Sequence, residues 1–386
     1  MAKIVYVTDL AASGSGYMSL SLPLCSGLSE LHDVKVIGFG YEGEEHDFNF
    51  PIFPAKTIND IIKTVTGIWY IWNFDYLFMA LDITLQERLI TTISDRPFKW
   101  VGVFPVEADP LCFTWANTLM SMDKQFIISQ FGTDEAHRKG ITTAEHIQIG
   151  IDTMAWRRPT ELERSSLRKA FNISEDTKVV LTNADNQERK NFFACFEAFS
   201  RFAKQEPNSK YILITREHNL QGWKLKDLAI HYKIADKLMI VERGMPFSEL
   251  WSYYAMSDCL LNLSKAEGLC LPVLEAMSVG IPVIATDCTA LHELCDDNRG
   301  VLVPWHYRYI DPFGNSYRYL ADYEVAASAL KDVLVGLTEY YPDHYKNMVD
   351  NAHKYAESRT WDIPVKQVDD YIKKDMDEKQ EQKPSN

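Results

Sequence analysis

Two glutamates, Glu267 and Glu275, with seven residues between them, flank a stretch that carries the marks of a helix start. Pro272 suits the first helical turn, where its missing amide hydrogen would have had no intrahelical partner. Gly280 suits the left-handed position after the helix, and Pro282 prevents continuation. The backbone amides from Gly268 through Leu269, Cys270 and Leu271 to Val273 are then free to face a phosphate, whose charge the helix dipole favours. Carboxylates beside an anion site suit hydroxyl groups, which donate hydrogen bonds. Glu275, in the first or second turn, is placed to hold a ribose, and Glu267, in the preceding loop, to approach a transferred sugar. The bland alternative is that Glu275 stabilises the helix start and Glu267 is solvated.

Such residues need rigid elements to hold them. Short apolar runs alternate with amphipathic stretches in two series. The first has strand-like runs at Lys3–Asp9, Val34–Gly40, Tyr76–Asp82, Trp100–Pro105, Gln125–Ser129 and His146–Ile149. The second has them at Lys178–Asn183, Tyr211–Thr215, Leu238–Glu242, Cys259–Leu263, Pro282–Thr286 and Gly300–Val303. Alternation of this kind predicts parallel sheets covered by helices, and its repetition predicts two doubly wound units. A chain of 386 residues exceeds the usual size of one hydrophobic core and agrees with two domains. The join is expected near Gly150–Arg164. Tyr-rich Trp305–Asp322 lacks a clear period and reads as an extended loop, either a lid or an insertion.

The combination of Glu267, Glu275, Ala276-Met277 and Gly280-Ile281-Pro282-Val283-Ile284-Ala285-Thr286 resembles the donor-site motif of family 4 retaining glycosyltransferases. The resemblance implies an α/β chain of GT-B fold, two facing Rossmann-like doubly wound domains with an interdomain cleft. It implies an N-terminal acceptor-side domain over residues 1–155 and a nucleotide-sugar domain over 156–345. A C-terminal helix over 346–372 would pack back on the N-terminal domain, before a disordered tail at 373–386. Where the family places a basic contact to the donor phosphates, this chain has Arg189-Lys190; Lys190 matches best, with Arg189 assisting. The family's common arginine upstream is replaced by Asn183-Ala184. Ser13-Gly14-Ser15-Gly16-Tyr17 resembles the family's glycine loop, with Gly16 as a donor contact, although an ordinary turn has the same composition. His146 to Asp152 resembles the interdomain junction, with His146 and Asp152 structural, and Ser129-Gln130-Phe131-Gly132 the turn before it.

Two departures from the family pattern bear on mechanism. Val103–Pro110 has no histidine where many members carry an active-site one, which leaves Glu107 or Asp109 for acceptor positioning or proton handling. Cys270 stands where the family often has glycine, so the cavity beside the transferred sugar is expected to be narrower. The implied reaction moves a hexosyl group from a GDP- or UDP-sugar to an acceptor hydroxyl with retention, the acceptor being a carbohydrate, a lipid-linked group or a protein. Glu267 and Glu107 are the catalytic candidates. No metal and no cofactor beyond the nucleotide-sugar are expected, since no convincing Asp-x-Asp site is present. Competing readings are a non-catalytic sugar-nucleotide binder, a GT-B epimerase or phosphorylase, and a DNA-glucosylating enzyme.

Composition narrows these choices. A formal charge of −14 disfavours nucleic-acid backbones and anionic membranes, without excluding a small anion held by a few cations. Ile61–Ile83 is interrupted by Lys63, Asn73, Asp75 and Asp82 and reads as a helix and a buried strand rather than a membrane span. Seven cysteines without paired spacing fit a reducing compartment, Cys25, Cys259 and Cys288 being packing residues. With no export signal visible, a cytoplasmic location is expected.

Overall fold

The computed structural model describes residues 1–11, 14–220 and 222–381. Its contacts divide the chain into two units: Met1–Val106 with Leu111–Gly150 and the stretch from Arg359, and Glu107–Pro110 with Ile151–Ser358. Each unit is a parallel sheet with helical crossovers, the doubly wound architecture expected of a Rossmann-like domain.

In the first unit the strands are β1 (Lys3–Asp9), β2 (Asp33–Phe39), β3 (Ile52–Ala55), β4 (Tyr76–Ala80), β5 (Lys99–Phe104), β6 (Lys124–Ile127) and β7 (Ala144–His146). They lie in the order β3-β2-β1-β4-β5-β6-β7. β4 is buried throughout, as a central parallel strand covered on both faces should be. Ile147–Ile149, expected within the last strand, lies beyond it, and β3 was not anticipated. Its short Ile-Phe-Pro-Ala run contains a proline, which marks an edge strand.

The second unit contains β8 (Lys178–Asn183), β9 (Ser209–Thr215), β10 (Leu238–Glu242), β11 (Cys259–Asn262), β12 (Val283–Thr286) and β13 (Val301–Val303). Their order is β10-β9-β8-β11-β12-β13, so strand order reverses between β8 and β11. That switch point is where a doubly wound sheet opens a crevice at its carboxyl edge. Beneath it the Phe192–Gln205 helix buries Phe192, Phe196, Phe199 and Phe202, and the rings of Phe196 and Phe199 lie 5.6 and 4.9 Å from that of Tyr211 in β9.

Three expectations are corrected. Residues 305–322 are no irregular loop: β14 (Trp305–Asp311) and β15 (Ser316–Ala321) form an antiparallel hairpin. Aromatic residues favour strands, and the turn between them uses positive φ at Gly314 and Asn315. The stretch 346–372 is not one helix. Pro342–Glu357 packs on the Leu271–Val279 helix within the second unit, whereas Asp362–Glu381 belongs to the first. Finally, the chain is helical through Glu381 instead of disordered from residue 373. Ile372 is fully buried, and the buried Asp375 carboxylate accepts from the Tyr76 hydroxyl at 2.6 Å and pairs with Lys99. Polar composition suggested a solvated tail, but these partners turn its charges into contacts. Residues 382–386 lie outside the described residues, as does Ser13.

All seven cysteines are free thiols, and Cys25, Cys259 and Cys288 are buried. Among the described residues no helix is long and apolar enough to cross a membrane.

Candidate active site

The loops that follow β8 and β11 are tied together before any side-chain charge is considered. Lys265 donates its amide to the Arg189 carbonyl at 2.9 Å. The buried Asn191 amide group donates to the Leu263 carbonyl at 3.0 Å. Arg189 and Lys190 lie ahead of the Phe192–Gln205 helix and not in it. They sit in a separate 3-10 turn, Glu188–Lys190, which Asn191 ends by taking φ 54°. That kink aims both cations at the second loop.

Glu267 is what they meet. Its side chain is 6% exposed, with Lys190 Nζ on Oε1 at 2.6 Å and Arg189 Nη1 on Oε2 at 2.9 Å. Burial alone would raise its pKa, but Lys190 and Arg189 outweigh it and hold the group at about 2. The backbone is fixed as well: its amide donates to Thr289 Oγ1 at 2.9 Å. Glu267 is therefore an ionised, immobile acceptor.

The helix Leu271–Val279 begins as expected, with Pro272 in its first turn and Gly280 left-handed after it at φ 82°. That φ strains any residue with a Cβ, which here would also lie 2.6 Å from Arg158 Nε. The helix starts from Cys270 at φ 85°, a left-handed conformation that costs a non-glycine residue about 1–2 kcal/mol. Cys270 Sγ accepts from Asn262 Nδ2 at 3.0 Å, which holds the turn. Gly268, Leu269 and Cys270 are buried, and Leu271 is partly exposed. Among the described residues, the amides of Gly268, Leu269, Cys270 and Leu271 meet no acceptor. Amides at a helix start have no intrahelical partner, so this row is open to an anionic acceptor.

Glu275 lies one turn further along and is half-buried. The Tyr254 hydroxyl donates to its Oε2 at 2.5 Å, and Asn183 Nδ2 donates to Tyr254 at 2.9 Å. Crowding by protein pushes the Glu275 carboxyl up to about 7, against the opposing effects of Tyr254, Arg243 and Asn183. Asn183, noted in the sequence only for the arginine it replaces, thus supports Glu275 through Tyr254.

Although Glu107 follows β5, it belongs to the second unit, where its Oε1 lies 3.2 Å from Arg189 Nε and 3.5 Å from Arg318 Nη2. A carboxylate placed between two guanidiniums neutralises part of their charge. Asp109 receives the Tyr319 hydroxyl of β15. Gly16 belongs to the first unit and opens the helix Gly16–Ser29, capped by Ser15. A Cβ there would meet nothing within 4 Å, and Gly14, not Gly16, takes positive φ.

Sequence reasoning missed Lys265, Tyr309 and Arg318. Lys265 pairs with Glu188 and lies 3.0 Å from the Tyr309 hydroxyl; burial and Arg318 lower its pKa to about 8 against the pull of Asp311. No spacing signal links the hairpin residues to Glu267, because the sheet and not the local chain brings them there. Among the described residues, no three His, Cys, Asp or Glu gather as a metal cluster.

Residues 163–307 match the family described as glycosyl transferases group 1. Over that stretch the chain is similar to the family. The match runs from the helix before β8 into β14 and so includes Arg189, Lys190, Glu267 and Glu275. The O-antigen chain mannosyltransferase RfbU of Salmonella typhimurium is 24% identical over 332 residues, 75% of this chain and 84% of that protein. Among solved structures, sucrose-phosphate synthase from Thermosynechococcus elongatus superposes with a TM-score of 0.78 at 14% identity, covering 97% of this chain and 99% of that one. Anabaena HepE in complex with UDP-glucose gives 0.74 at 15% identity over 97% and 100%. At such identities these structures establish the GT-B fold and nothing finer.

Proposed function

We propose that this chain is a retaining hexosyltransferase that takes its sugar from a UDP- or GDP-sugar and delivers it to an acceptor hydroxyl. The observation that carries the reading is the buried, ionised Glu267 gripped by Lys190 and Arg189 beside four unpaired amides at the β8/β11 switch point. Cations, amides and carboxylate are what a sugar diphosphate demands, in adjacent positions.

In the resting site Glu267 neutralises both cations. A diphosphate replaces it as their partner and also accepts from the amides of Gly268–Leu271 at the helix start. Glu267 then accepts hydrogen bonds from hydroxyls of the transferred sugar, and Glu275 from the ribose. The bond between the anomeric carbon and the leaving phosphate oxygen breaks as the acceptor oxygen bonds to the same face of that carbon. The acceptor proton passes to the departing phosphate oxygen. Charge gathering on that diphosphate is stabilised by Lys190, Arg189 and the amides. This route needs neither a protein nucleophile nor a metal.

A thermal-shift screen against UDP-, GDP- and ADP-sugars tests the donor, since a ligand that favours the folded state raises Tm. Product NMR with a panel of acceptors then reads the anomeric configuration. Inversion would overturn the retaining mechanism. Binding without transfer or hydrolysis would favour a non-catalytic sugar-nucleotide binder, and sugar interconversion without acceptor an epimerase.

A further inference from the structure

The hairpin β14–β15 delivers to this cluster a cation for which the proposed chemistry has no task. Arg318 is 2% exposed. Its Nη2 lies 3.5 Å from Glu107 Oε1, and its Nε lies 3.7 Å from Asp311 Oδ2. Among the described residues, neither Nε nor Nη1 has a hydrogen-bond partner. Buried donors left unmade are costly, so a carboxylate that moved closer to this guanidinium would be stabilised by it. Glu107 is positioned to do so, but the same Oε1 is held by Arg189 Nε at 3.2 Å. One carboxylate oxygen is shared by two guanidiniums, and one of these is wanted elsewhere when a donor arrives.

We infer that Arg318 is a positioning residue that receives Glu107 when Arg189 turns to the donor diphosphate. The inference rests on the nucleotide-sugar reading above. Before binding, Arg189 serves Glu267 and Glu107 together. A diphosphate draws its charge away from both, and without Arg318 the Glu107 carboxylate would lose its compensation in a largely desolvated place. With Arg318 beside it, Glu107 closes a gap that is already short, and the unmet guanidinium donors gain an acceptor. The segment 107–110 is also registered against the same strand: the Tyr317 amide donates to the Asp109 carbonyl at 2.6 Å, and the Tyr319 hydroxyl binds the Asp109 carboxylate. Small movements of Glu107 therefore occur over a fixed neighbour.

The test is a double-mutant cycle on the full chain, with UDP, GDP and ADP as probes in calorimetric titration. Arg318→Gln is expected to weaken the Kd of the preferred nucleoside diphosphate about tenfold, as loss of a charged hydrogen bond should. In a Glu107→Gln background, where no carboxylate needs a new partner, the same change is expected to alter Kd less than about twofold. Arg318→Lys keeps the charge and is expected to weaken Kd by about threefold, again only when Glu107 is present. Should Arg318→Gln fail to fold, Arg318→Lys decides the question. Equal weakening in both backgrounds, or none in either, would overturn the inference while leaving the donor reading intact. Failure of all three nucleotides to bind the unaltered protein would overturn the donor reading, and this inference with it.

Discussion

Glu267, in the loop before the Leu271–Val279 helix, and Glu275, one turn into it, share a chemical group, yet their surroundings drive them in opposite directions. Glu267 meets two cations and is held at about 2. Glu275 is pushed up to about 7 by burial, which Tyr254, Arg243 and Asn183 offset only in part. Burial acts on both in the same sense; the partners decide the outcome. A carboxylate locked in its charged form is suited to hydroxyls on the reacting sugar. One that changes protonation near neutrality is suited to a hydroxyl contact whose strength can vary with occupancy.

The largest expected effect lies at the locked carboxylate. Glu267→Gln should lower kcat by about 100-fold, the scale for losing one electrostatic contact at a reacting centre, with a much smaller change in donor KM. Steady-state kinetics showing an effect confined to KM would place Glu267 away from the transferred sugar. Next is its partner. Lys190→Ala should weaken donor binding by roughly 1.5–3 kcal/mol, the range for a charged hydrogen bond. Calorimetric titration with unchanged affinity would remove Lys190 from the phosphate site.

The third prediction concerns the neutral-range carboxyl. With its folded pKa raised from the ordinary 4.5 to about 7, Glu275 binds a proton more tightly in the folded protein than in the unfolded chain. Its stabilising contribution is complete below about pH 4.5 and is lost as pH rises through 7, an effect on the order of 2 kcal/mol. Glu267 has the reverse sign: its contribution is present above pH 4.5 and lost as pH falls toward 2. Unfolding curves at pH 5 and pH 8 should show Glu275→Gln gaining on the unaltered protein at the higher pH. Parallel curves would show that the two glutamates do not differ as described. The smallest effect is expected at the turn between them. Cys270→Gly relieves the left-handed backbone but gives up the Asn262 contact, for a net gain of about 0.5–1 kcal/mol in thermal unfolding. A loss of stability there would mean that the contact outweighs the strain.

The primary structure by itself determined the two parallel sheets, because alternating apolar runs and amphipathic stretches leave few other ways to bury their faces. Helix punctuation at Pro272 and Gly280 likewise exposed the start of the Leu271–Val279 helix and its two glutamates, since these signals are local. Only the tertiary structure decided how those groups are charged and who shares them. The cation grip on Glu267 joins loops after two different strands, and Glu107 is drawn into the same cluster from the segment after β5. Arg318 arrives on a hairpin whose Tyr-rich sequence read as a loop, and the C-terminal helix keeps its form through Asp375, Tyr76 and Lys99. Charge state and ion pairing depend on through-space distance and desolvation, and neither is written in the spacing of residues along the chain.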